Sequence, residues 1–277
     1  MRRTWPLIAA TLIALTAAFL VPAVPQPAAY HQFADQRQMF GIGHFLDVIS
    51  NAGFLLVGLG GLWAVLNSRR AFQHRGERWP YALFFLGVAL TAAGSSYYHL
   101  AANNERLFWD RLPMTIAFTS LIAAQVCDRI SIRAGLALLA PLLLAGIGSV
   151  GYWIASERAG TGNLVPYAVL QAYAVVVLLL LARLYPSRYT RGNDIYWVLA
   201  AYLAAKLLET LDRPVLAFTD LVSGHTLKHL AAAVAALIIL RMLLLRRPRS
   251  FDANEDELNR RAGQVGKGSQ RSLRPTH

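Results

Sequence analysis

Eight apolar stretches divide the chain, at roughly 6–24, 45–67, 79–100, 110–127, 134–155, 164–184, 194–211 and 225–245. Each approaches the ~20 residues that carry a helix across ~30 Å of hydrocarbon. None alternates apolar and polar residues as a barrel strand does, which leaves helices as the spanning structure. Charged residues make up 15% of the 277, against about 25% in an ordinary soluble domain. That balance argues against a soluble enzyme, a disordered chain or a secreted disulfide scaffold. The single cysteine, Cys127, has no partner for an internal disulfide.

The formal net charge of +12 would point to nucleic acid in a soluble protein. Here the basic residues follow the eight-span alternation. Twenty lie at the N-terminus, in alternate loops and in the C-terminal segment, among them Arg69, Arg70, Arg129, Arg133, Arg188 and Arg246. The opposite side has five, Arg37, Arg106, Arg111, Arg158 and Arg213. The split predicts cytoplasmic termini, and topology accounts for the charge without a nucleic-acid partner. The first stretch, with Arg2-Arg3 before it and Pro25-Gln26-Pro27-Ala28-Ala29 after it, also fits a signal peptide. Its length favours a retained helix or signal anchor over residues 1–29. A helical membrane domain is expected over 30–247 and a polar, disordered cytoplasmic tail over 248–277. The predicted fold is an all-α bundle of seven transmembrane helices with one additional N-terminal helix.

Polar groups fall at one depth. The third stretch ends Gly94-Ser95-Ser96-Tyr97-Tyr98-His99, a short loop over 101–109 follows, and Asp110 opens the next. The last begins Ser223-Gly224-His225-Thr226-Leu227-Lys228-His229. Asp47 and Asn51 stand one turn apart at the start of the second, and Lys206, Glu209 and Asp212 near the end of the seventh. All are expected in the outer third of the bilayer. Ionisable groups there are costly and become functional candidates.

Metal chemistry suits them. His225 and His229, at i and i+4, share a helix face and can address one ion. His99 supplies a third ligand and leaves a fourth position for water, as in a catalytic zinc site. Asp110 could hold or deprotonate that water, and Ser95 could donate to an oxyanion. A lone HxxxH pair would favour a plain core role; the third His and the Asp at matching depth tip the balance to a metal. A haem sandwich needs paired His at both ends of the helices, and the inner half has none. Lys228 lies too near the outer end for a retinal Schiff base. Lys206 is expected to neutralise Glu209 or Asp212, and His31 and His44 to be solvated. Trp5, Trp79, Trp109, Tyr196 and Trp197 form an interfacial belt.

Gly94 to His99, followed after ten residues by Asp110-Arg111-Leu112-Pro113-Met114, resembles the G-S-x-x-x-H…D-E-L-P-M signature of alkaline ceramidases. Ser223 to His229 resembles their final H-x-x-x-H motif, and Phe45 to Asn51 the segment ending I-S-N. These enzymes belong to the CREST superfamily of seven-helix membrane hydrolases, which also takes in progestin and adipoQ receptors. The resemblance covers about 44–246. It implies zinc on His99, His225 and His229, with Asp110 and Ser95 acting at the water and the carbonyl of a sphingoid-lipid amide. Two departures stand out. Arg111 replaces the motif's Glu. His44 stands where the eukaryotic enzymes place an acidic calcium ligand, so the Ca2+ site they carry is put in doubt, although Asp35 and Asp47 offer oxygens to a different cation.

The leading expectation is therefore a zinc (Zn2+) hydrolase of a prokaryotic branch. It would cleave ceramide or another N-acyl lipid to a fatty acid and an amine in the bacterial inner membrane, its site towards the periplasm. No obligate protein partner is inferred. The alternative is a zinc-containing receptor or structural protein in which four protein ligands close the site. A transporter ranks third, since no broken pair of helices marks a transport site.

Overall fold

The computed structural model describes residues 4–68 and 71–249. Arg2, Arg3, Arg69, Arg70 and the expected tail beyond 249 lie outside the described residues. The described chain is all-helical: α1 (Trp5–Leu20), α2 (Phe45–Ile49), α3 (Ala52–Asn67), α4 (Arg78–Leu100), α5 (Asn104–Arg129), α6 (Ile132–Arg158), α7 (Val165–Leu184), α8 (Asp194–Thr210), α9 (Asp212–Thr219) and α10 (Gly224–Leu245).

Four segments are long and apolar enough to cross a membrane: Phe45–Asn67, Ile132–Arg158, Val165–Leu184 and Gly224–Leu245. Three of the other four expected spans fall short for identifiable reasons. α1 and α8 have 16 and 17 residues. α5 is long, but carries Glu105, Arg106, Asp110, Arg111, Asp128 and Arg129. Several of its polar side chains turn inward: Thr115, Thr119 and Ser120 are fully buried, while Leu56, Trp63 and Leu144 are at least 70% exposed on the outside. Apolar outside and polar inside is the pattern of a helical membrane bundle, not of a water-soluble core.

Two expectations about local structure are corrected. The loop over 101–109 is mostly helix, because Asn103 caps α5 by accepting from the Arg106 N–H at 2.9 Å. Asp110 therefore sits in the second turn rather than at the start. The connection after α8 carries the short helix α9.

α4 packs between α3 and α5, and α10 between α3 and α8; α7 touches α5 and α8, and α6 braces α5 and α7. α1 lies on α7, where the Thr11 and Tyr173 hydroxyls meet at 3.0 Å. The main core includes Phe85, Ile122, Leu181, Ile195 and Ile239. A second cluster at the other end gathers Phe33, Tyr98, Leu107 and Trp153. At the end of the bundle away from His99, His225 and His229, Arg246, which caps α10, pairs with Asp128 of α5 at 2.6 Å, and the Tyr81 hydroxyl of α4 donates to the same carboxylate at 2.7 Å. Removing Arg246 or Asp128 would strand a buried charge, at a cost of about 3–5 kcal/mol.

Two glycines allow the close approaches that build the end carrying His99, His225 and His229. A Cβ on Gly94 would stand 2.0 Å from the Trp109 carbonyl oxygen, and one on Gly224 would stand 2.3 Å from that of Leu208. The first brings α4 against the start of α5, and the second seats α10 against the end of α8.

Candidate metal centre

His99, from the last turn of α4, and His225 and His229, from the first turns of α10, are buried together. One ring nitrogen of each lies within 4.8 Å of the other two. The ring centroids are 4.8–5.0 Å apart. His99 Nε2 and His225 Nε2 are separated by 3.3 Å. Two ligands of a tetrahedral zinc, each ~2.0–2.1 Å from the ion, stand about 3.3 Å apart. The spacing fits co-ligation of one small ion.

Local sequence explains how the pair on α10 is presented. Ser223 caps the helix by accepting from the Thr226 N–H at 3.0 Å. Asp212 accepts from the His225 backbone N–H at 2.9 Å. Thr226 donates to Asp47 at 2.6 Å, tying the same turn to α2. The first turn of α10 is thus held from both sides, and His225 and His229 emerge on one face.

Ser50 is the contact that sequence reasoning missed. Its hydroxyl donates to the Asp47 carbonyl at 3.0 Å, and its oxygen lies 2.8 Å from His229 Nδ1. With its single proton committed to Asp47, Ser50 accepts from Nδ1–H of His229. That tautomer leaves Nε2 of His229 with a free lone pair, as a metal ligand needs. The I-S-N segment contained this residue, but only the fold shows which imidazole it serves. His99 Nδ1, by contrast, is buried without a partner.

Ser95 and Asp110 are buried side by side in the wall of one cavity. Among the described residues the metal-competent group comprises the three imidazoles, and Asp110 is not in it. Instead Asp110 and Ser95 line, with His229 and Lys228, an apolar cavity of about 130 Å³ walled by Phe54, Phe84, Val88 and Met114. A second cavity of about 240 Å³ shares Asp110, Met114, Tyr202 and Lys228 with the first. A third, of about 280 Å³, borders His225, Asp212 and Arg213.

Other expectations change. His31 is not simply solvated: its ring nitrogens lie 2.9 Å from the Tyr98 hydroxyl and 2.9 Å from Asn104 Oδ1. His44 Nδ1 meets the Asp35 carbonyl oxygen at 2.8 Å. Lys206 pairs with Glu209, one of the two partners expected for it, while Asp212 serves α10. Asp35 is engaged by Arg37 at 2.6 Å, and its carboxyl is held below the usual carboxylate range by hydrogen bonds from that guanidinium. Asp47 Oδ2 and Asn51 Oδ1 are buried and without partners.

Two further residues crowd the centre. Phe33, in the segment before α2, lies 4.5 Å from the His99 ring and 4.8 Å from the His225 ring. It packs against two of the three imidazoles. Lys228 Nζ lies 3.3 Å from His225 Nε2 and 2.9 Å from Glu209 Oε1. Its place between the two motif histidines was visible in the sequence; its turn towards the centre was not. No protein-family model matches the chain, and no curated protein matches its sequence.

Proposed function

We propose that the protein is an intramembrane zinc hydrolase of lipid amides, ceramidase-like in chemistry. The observation that carries this reading is the separation of roles at the centre: three buried imidazoles converge without a carboxylate among them. Asp110 and Ser95 stand aside, in the wall of an apolar cavity that also touches His229. A structural zinc wants four protein ligands; three leave a position open to a substrate.

The reading extends to seven membrane-crossing helices, with α1 outside them, and to the inner bacterial membrane. The four long apolar segments and the basic loop pattern support it. The centre would then face the periplasm at the depth of a lipid headgroup.

Zinc held by His99, His225 and His229 would supply Lewis acidity towards a water molecule and the amide carbonyl. The apolar cavity would take an acyl chain and place its carbonyl between Ser95 and the imidazoles. Ser95 would turn its hydroxyl to the carbonyl oxygen as negative charge develops there. Asp110 would accept a proton from the attacking water and return it to the nitrogen as the C–N bond breaks. The water oxygen ends on the carbonyl carbon, and a fatty acid and a free amine leave.

The test is turnover of N-acyl lipids by the purified chain, with and without a chelator. Hydrolysis abolished by chelation and by Asp110→Asn, with metal retained in that variant, is the expected result. Near-normal activity of Asp110→Asn would refute its role as base.

A further inference from the structure

Arg111 stands next to Asp110, only 4% exposed, and no carboxylate among the described residues lies within ion-pair distance of it. Its guanidinium carbon lies 4.3 Å from the Trp153 ring, 4.9 Å from Tyr167 and 5.4 Å from Tyr30. Nη2 donates to Gln26 Oε1 at 2.7 Å, and Nη1 has no partner. The rings hold the flat faces of the cation. They leave one in-plane donor unmet in a site where unpaired charge is costly.

The same residue lines the 240 Å³ cavity that adjoins the acyl cavity at Asp110 and Lys228. Lys206 and Lys228 also face it, and both are drawn to one carboxylate, Glu209. Three cations therefore meet two carboxylates, Glu209 and Asp110, and the excess of one positive charge rests on Arg111. An acyl chain in the first cavity would put the other half of an amide lipid in the second.

We infer that this second cavity recognises a single negative charge on the amine side of the lipid. The substrate class is then a monoanionic N-acyl lipid, such as an N-acyl amino acid, rather than a neutral ceramide. The inference rests on the hydrolase reading for its placement of the two halves, with Arg111 as the selectivity residue. A planar guanidinium suits a carboxylate or a phosphodiester, and the excess of one charge suits one anionic group.

The experiment measures binding and turnover separately. N-palmitoylglycine, an N-palmitoyl phosphodiester and neutral N-palmitoylethanolamine are titrated against the full-length chain with Asp110 in place, in neutral detergent and with a chelator present so that no bound metal attracts the anion and no turnover occurs. At least one anionic lipid should bind about tenfold or more tighter than the neutral one. The carboxylate and phosphodiester arms tell which anion is read. Arg111→Gln should remove the preference and leave neutral-lipid affinity in place. Equal binding of all three, no binding of any, or a preference that survives Arg111→Gln overturns the inference. Should Arg111→Gln fail to fold, the comparison of lipids on the chain retaining Arg111 still decides. Turnover on the zinc-loaded chain separates the two readings. Anion-selective binding without cleavage removes the hydrolase and keeps the pocket; cleavage without selectivity does the reverse.

Discussion

Ser50 Oγ lies 2.8 Å from His229 Nδ1, joining the break between α2 and α3 to the first turns of α10. The contact sets which nitrogen of His229 carries its proton, and so which one is free to bind an ion. Support of this kind is worth roughly 10–100-fold in metal affinity. Ser50→Ala should weaken zinc binding by that factor, read by competition with a chromogenic chelator. An unchanged affinity would mean that Ser50 only packs against the imidazole.

Lys228 works in the opposite direction. Its ammonium lies 3.3 Å from His225 Nε2, and a bound cation would meet it as a like charge. Glu209 relieves part of this repulsion by pairing with it at 2.9 Å. Lys228→Met should raise zinc affinity about tenfold. Glu209 would keep Lys206 as its partner, so the substitution strands no charge. A loss of affinity in the same chelator competition would show that the ammonium helps to shape the centre.

How much of this was legible beforehand depends on the kind of contact. The His225–His229 pair is a helical i, i+4 relation, so spacing alone put both on one face. His99 and Asp110 joined them through shared depth, which follows from where the apolar stretches end. The contacts of Ser50, Phe33 and Arg111 were hidden for a common reason. Each meets the site through packing between elements far apart in the chain, as Phe33 does with His225 at 4.8 Å. The loop expected at 101–109 proved helical because a single capping residue, Asn103, outweighs the polarity of the turn it starts. α5 shows the converse: its inward polar residues lower its hydropathy, although its 26 residues exceed the length of a span.

The segment carrying Phe33 is tied down on both sides. The Ala34 N–H donates to Asp212 at 2.9 Å, and Arg37 joins Asp35 to the Leu221 carbonyl oxygen at 2.7 Å. Arg37 holds the folded Asp35 carboxyl below its ordinary range. The contribution is therefore complete above the unfolded value of about 3.9 and is lost as pH falls through the lower folded one. A spin label at exposed Gln36, introduced by Gln36→Cys, should be immobile at pH 7 and gain mobility only in strong acid. Adding Asp35→Asn should mobilise it at pH 7. An equally immobile label in that variant would show that other contacts hold the segment.

Metal content is the most direct test of the three-imidazole centre. Elemental analysis should be made on the full chain, purified in detergent without chelators, and on His225→Ala prepared in parallel. About one zinc per chain, lost in the variant, is the predicted result. No stoichiometric metal in the unsubstituted chain, or equal metal in both, would contradict the assignment of His99, His225 and His229 as ligands, and the proposed hydrolase would fall with it.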